Sequence, residues 1–179
     1  MKMILIVVVV TMVALVGFGV AAKAHNTITS TATTSLASES LLTVAISGCI
    51  NKPGTYKLTA GKTLIDLITA AGGVTTNADS LAYNANHLLV AKDEYYIAPI
   101  YDNANTCSTD PILKCNVNTA SADLLQTIAG FSKSVSAAVV SYRATASFDT
   151  LEQIKEVKGC GQATYITVRD KITLRDYAD

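Results

Sequence analysis

Neither sign of charge prevails in this sequence, in which 14 Lys and Arg balance 14 Asp and Glu. The simple argument that a strongly basic chain binds polyanions therefore has no footing, and any such role has to rest on geometry. Histidine is scarce as well. His25 and His87 are the two present, and neither has a carboxylate or cysteine at ligand spacing, which argues against a metal centre. The sequence contains no closely spaced C-x-x-C pair, phosphate-loop lysine, nucleophile triad or metal-binding helix. Asp66, Asp79, Asp93 and Glu94 lack a partner pattern for acid-base work. Neither enzymatic activity nor a cofactor is expected.

What the sequence has is an uncharged apolar block, Met3 to Ala22, long enough as a helix to cross a hydrocarbon layer of about 30 Å. Residues 1–22 are expected to form a single-pass transmembrane helix. Lys2 and the amino terminus precede the block and only Lys23 comes closely after it, so the bias of basic residues keeps the N-terminus cytoplasmic and the rest outside. A cleaved signal peptide is the competing reading, because Ala22-Lys23-Ala24 offers small residues to a peptidase. Either reading exports the remainder of the chain. Four cysteines, Cys49, Cys107, Cys115 and Cys160, fit an oxidising compartment and suggest disulfides. The leading pairing is Cys49 with Cys107 and Cys115 with Cys160; closure of Cys107 with Cys115 is the rival. The competing reading takes Cys49 and Cys160 as small buried hydrophobes.

Residues 23–42, rich in Ala, Thr and Ser and without helical or strand period, are expected to be a flexible tether. Residues 43–101 open with the strand-like Thr43 to Ser47, turn at Asn51-Lys52-Pro53-Gly54 and resume at Thr55 to Leu58. Thr63 is placed to cap a helix through Leu64, Leu67, Ile68 and Ala71, ended by Gly72-Gly73. His87 to Val90 and Tyr95 to Pro99 supply further short strands. Residues 102–114 carry Asn, Thr, Ser, Asp and Pro in place of a hydrophobic period, as a linker does, and lead into a second domain, 115–179.

That second domain repeats itself at a spacing of 29 residues, from Gly130 to Gly159. The first copy is an apolar-periodic helix from Ala122 to Ile128, a bend at Gly130-Phe131-Ser132-Lys133, and a helix through Val135, Ala138, Val139 and Tyr142. The second runs from Leu151 to Val157, bends at Gly159-Cys160-Gly161, and continues through Ala163, Ile166, Val168, Arg169 and Ile172. Glycine permits positive φ and a close backbone approach, while the apolar residue in the middle anchors the turn. A helix starting just after such a bend aims unpaired N–H groups and its positive dipole end at one spot, which suits a phosphate. Phe131 and Cys160 are read as core anchors. Each glycine on its own reads equally as an ordinary helix C-cap; the duplication is what favours the phosphate reading.

Cys115 to Ser121, the bend Ile128 to Lys133, Tyr142-Arg143, Phe148 and Val157 to Gly161 together resemble the tandem helix-hairpin-helix domain of ComEA-type competence DNA receptors. Val44 to Tyr56 and Leu64 to Val74 resemble a soluble-ligand-binding β-grasp (SLBB) domain, which those receptors carry in this order. The resemblance implies an α+β chain in which a transmembrane anchor is succeeded by an SLBB-like β-grasp domain and an all-α paired-hairpin domain. It implies an extracellular, membrane-anchored receptor for double-stranded DNA, with handover to an uptake channel and self-association through the β-grasp domain. The DNA contacts it implies are Gly130, Ser132, Lys133, Ser134, Lys158, Gly159, Gly161, Gln162 and Thr164. Ser134, Gln162 and Thr164 read as well as plain capping or solvated residues.

Two departures matter. Ser132 stands where the pattern has its second glycine, so a Cβ at positive φ is expected to cost about 1 kcal/mol. From Asn116 onward four Lys and three Arg meet five Asp and two Glu; Lys133, Arg143, Lys155, Lys158 and Lys171 are the candidates to cluster on the hairpin face, and weak, strongly salt-dependent binding that gains from several receptors together is expected. The alternative from another class is an anchored adaptor that binds protein or glycan.

Overall fold

The computed structural model describes residues 40–102 and 110–176. The expected membrane span, the tether as far as residue 39, and Cys107 lie outside the described residues. Among the described residues no helix is long and apolar enough to cross a membrane.

The first domain is a three-stranded sheet laid on one helix. β1 (Leu41–Gly48) alternates so that Val44 and Ile46 point into the core. It pairs antiparallel with β2 (Gly54–Thr59) across the Asn51 to Gly54 turn, with Val44 opposite Tyr56, and parallel with β3 (Glu94–Ile97), with Ile46 opposite Tyr95. The sheet order is therefore β2-β1-β3, with β3 at an edge. At the end of β1, Gly48 has φ +86°, and a Cβ there would run into the Ile97 carbonyl oxygen, so no other residue fits. Helix α1 (Leu64–Ala70) buries Leu64, Leu67 and Ile68. Asp66 reaches back to the Thr63 N–H at 2.9 Å, as a capping box requires, and this bond holds its carboxyl below the ordinary value. His87 to Val90, expected to form a strand, is a loop with a single bridge between Thr63 and Leu88. Leu89 is the one residue of the run buried in the core, between exposed Leu88 and Val90, and its N–H bonds to the Lys62 carbonyl, outside any strand.

The second domain begins at β4 (Cys115–Asn116), which pairs parallel with β5 (Ile172–Thr173). The expected all-α domain is thus corrected: Ile172 lies in a closing strand, not in the last helix. Between these strands run α2 (Ala122–Leu124), which widens into a π turn over Leu125–Ala129, then α3 (Lys133–Arg143), a 3-10 helix (Leu151–Glu156) and α4 (Gln162–Val168). Leu125, Val139, Leu151, Ile154 and Ile172 fill the core. Asn118 Nδ2 ties the two ends of the domain by donating to the Phe148 and Leu174 carbonyls, 3.0 Å each.

Cys115 and Cys160 sit in this same core as separate buried thiols, so the bridge expected between them is not formed here. Burial pushes both thiols up from their ordinary pKa, as it does for small hydrophobes that share a core. The pairing of Cys49 with Cys107 falls partly outside the described residues.

The residues described belong to one compact unit, Ser38–Asp179. Ala82 and Ala98 of the first domain enter the core of the second. Lys114, at the end of the expected linker, is buried against Asp79 at 2.6 Å and donates to the Pro99 carbonyl at 2.6 Å. The Leu174 N–H donates to the Leu81 carbonyl at 2.9 Å, and Arg175 to the Ser80 carbonyl. Partly buried Glu152 accepts from Tyr96 N–H at 2.7 Å and Tyr165 hydroxyl at 2.9 Å. Burial raises its carboxyl pKa above the ordinary value.

A raised carboxyl pKa means that the folded state holds the proton more tightly than the unfolded chain. The stability this group contributes is therefore complete below the unfolded value of about 4.3 and is lost as pH rises through the folded value. Glu152→Gln keeps an acceptor oxygen without the charge. Its melting temperature relative to the parent is expected to climb as pH goes from about 4 to about 7, and thermal melts across that range check it.

Candidate nucleic-acid interface

Each bend of the duplicated unit is built the same way. The π turn ends at Gly130, which is left-handed at φ +83° and donates its N–H to the Leu125 carbonyl; Gly159 takes φ +86° at the equivalent point. The middle residues, Phe131 and Cys160, are 3% and 2% exposed and pin the bends to the core. The next residue starts the following helix: Ser132 at φ −67° and ψ 158°, Gly161 at φ −89° and ψ −176°.

Those angles correct one expectation. Ser132 is in extended backbone open to any residue, so its Cβ carries no strain; only the first glycine of each bend needs the left-handed region. Ser132 serves as a helix cap instead, its hydroxyl accepting from the Val135 N–H at 3.3 Å and lying 3.2 Å from the Ser134 hydroxyl. Gly161 has no side chain to cap α4, so the opening amides of that helix have neither an intrahelical acceptor nor a side-chain one. The two copies thus share a backbone and differ in how much donor capacity they leave to a ligand.

The bends are neighbours. A Cβ built on Gly159 would lie 3.5 Å from Val135 Cγ2, in the first turn of α3, so the second bend rests against the helix that leaves the first. Gly130, Ser132, Lys133, Ser134, Lys158, Gly159, Gly161 and Gln162 are all exposed, and Thr164 is half-buried. Cβ atoms built on Gly130 and Gly161 meet nothing within 4 Å, which leaves open space for another molecule.

Of the acids, Asp170 accepts from the Tyr96 hydroxyl at 2.7 Å, Glu156 from Tyr142 at 2.7 Å and Asp176 from Thr119, while Glu152 turns towards the first domain. Among the bases, Arg143 is committed to the Val117 carbonyl at 2.8 Å, Lys155 lies over the Tyr165 ring and Arg169 over the Tyr96 ring. Lys133 and Lys158 are exposed and adjoin the bends in sequence, and Lys155 shares the lining of a small cavity with Gln162, the residue that follows Gly161. A cleft of about 410 Å³ between the domains is lined by His87, Asp93, Glu94, Glu152 and Glu156 among others and would repel phosphate. Among the described residues no group of three His, Cys, Asp or Glu could hold a metal ion.

Sequence reading missed the residues that join the domains: Tyr96, Glu152, Tyr165, Arg169 and Asp170. Their pairings span 56 and 74 positions in the chain, and no local period marks them.

Comparison with known proteins agrees with the two-domain reading. Residues 111–173 match the helix-hairpin-helix motif family, and residues 43–82 match the SLBB domain family. The chain is 26% identical over 163 residues to ComE operon protein 1 of Bacillus subtilis (strain 168), an alignment covering 86% of this chain and 80% of that protein.

Proposed function

We infer that this chain, one of the ComEA-type competence DNA receptors, holds double-stranded DNA by its sugar-phosphate strands at the two bends, without selecting bases. The observation that carries the reading is the pair of adjacent exposed bends, each with a buried anchor and each opening a helix, the second of them without a side-chain cap. Amides at a helix start attract any phosphate and distinguish no base. Lys133 and Lys158 add charge on either side.

Sequence order supports the remaining roles. Met3 to Ala22 anchors the chain in the cell membrane with the folded part outside, and captured DNA passes to an uptake channel. The SLBB domain contributes self-association, and several weak receptors acting together hold a long duplex far better than one. The receptor binds and hands over; it performs no chemical step.

A gel-shift titration of the full chain against salt tests this with two duplexes of unrelated sequence. Equal affinities that fall steeply as salt rises are expected. Lys133→Ala and Lys158→Ala should each weaken binding to both duplexes alike and flatten the logarithmic salt slope by about 0.9. A strong preference for one duplex would overturn the backbone-contact reading. Absence of binding at low salt would favour an adaptor whose bends hold protein.

A further inference from the structure

Resting on the DNA-receptor reading, we propose that Glu152 is a positioning residue through which the SLBB domain sets the second hairpin for DNA. Strand β3 is an edge strand, and its Tyr96 N–H has no neighbouring strand on that side. Glu152 Oε1 takes that N–H at 2.7 Å and also takes the Tyr165 hydroxyl at 2.9 Å. One oxygen therefore joins the sheet edge of the first domain to the first turn of α4, the helix that begins at Gly161.

The far end of α4 is held to the same strand residue. The Tyr96 hydroxyl donates to Asp170 Oδ1 at 2.7 Å, and the Arg169 guanidinium stacks 3.7 Å from the centre of the Tyr96 ring. Arg169 Nε is buried and has no hydrogen-bond partner among the described residues, and the stack on Tyr96 contributes to holding the group in place. Burial and the carboxylate neighbours push the Tyr96 and Tyr165 phenols far above their ordinary range, so both hydroxyls keep the protons they donate.

Helix α4 is thus clamped at both ends to β3, while α3 touches the second bend through Val135. The angle between the two sets of helix-start amides depends on the first domain. A hairpin that bound DNA as a self-contained module would need no such clamp.

A double-mutant cycle on the full chain tests this. Glu152→Ala is expected to weaken duplex binding about fivefold, and Glu152→Gln, which keeps an acceptor oxygen, to stay within about twofold of the parent. In a Gly161→Asp background, where the second hairpin is disabled, Glu152→Ala should cause no further loss; in a Gly130→Ala background its loss should persist. If Glu152→Ala does not fold, as judged by circular dichroism, Tyr165→Phe removes only the α4 side of the bridge and is expected to lose about threefold with the same background dependence.

A parent that fails to bind duplex sinks the DNA reading itself. A parent that binds, with Glu152→Ala or Tyr165→Phe binding equally well, or losing as much in the Gly161→Asp background, sinks the positioning role alone.

Discussion

Gly161→Asp is expected to weaken duplex binding at least tenfold, about 1.4 kcal/mol, while leaving the protein as stable as before or slightly more so. Gly161 is in extended backbone, at φ −89° and ψ −176°, where any residue fits, and a Cβ there meets nothing within 4 Å. The new carboxylate would cap α4, a gain of roughly a few tenths of a kcal/mol over glycine, and would occupy the amides otherwise open to a phosphate. Stability and binding should therefore move in opposite directions, which a folding defect cannot imitate. Gly161→Ser, which copies the Ser132 cap of the first bend without adding a charge, should bind between the parent and Gly161→Asp. Gly159→Leu is a poorer probe, because φ +86° strains the backbone and Val135 stands close by. Thermal melts alongside gel shifts check the separation, and a Gly161→Asp chain that binds as tightly as the parent would remove the second bend from the interface.

The largest effect on stability is expected at Lys114. Lys114 and Asp79 side chains are each 3% exposed and 2.6 Å apart. Asp79 also accepts from the Leu81 N–H at 2.9 Å, and Lys114 donates to Pro99. Removing one partner leaves the other as a lone buried charge, so Lys114→Ala should cost about 3–5 kcal/mol. For a folded unit of this size that corresponds to a fall of roughly 10 °C in melting temperature. The double replacement Asp79→Leu with Lys114→Met leaves no charge behind and should recover most of the loss. If Lys114→Ala melts within about 2 °C of the parent, the pair is not the seam between the domains that its burial indicates.

Sequence reading serves well where short-range chemistry decides the outcome. The turn at Asn51 to Gly54, the Thr63 cap, the glycines after α1 and the 29-residue duplication each depend on residues near one another, and each is present in the fold. The bends are legible for the same reason: Gly130 and Gly159 need the left-handed region, and Phe131 and Cys160 need burial. It falters where a distant partner decides. Ile172 continues a helical period yet joins β4, because a strand edge at Cys115 waits for it. His87 to Val90 looks like a strand by composition, yet Leu89 enters the core from a loop whose backbone bonds to Lys62 and Leu64 beside α1. Ser132 would be strained only if the second glycine of the pattern needed positive φ, whereas that position is an ordinary helix cap. The linker composition of residues 102–114 conceals Lys114, whose ammonium group is one of the most deeply placed charges described.

The pairing of β4 with β5 has a consequence for the order in which the molecule is completed. Both copies of the hairpin lie between these two strands, so the opening strand of the domain has nothing to bond with until the ribosome has delivered Ile172 and Thr173. Contacts so far apart along the chain form late, since the intervening loop must close first. The first bend is synthesised early, but the strand pair that closes its domain is complete only when Thr173 is in hand, so a chain shortened before Ile172 is expected to lose the fold that holds both bends.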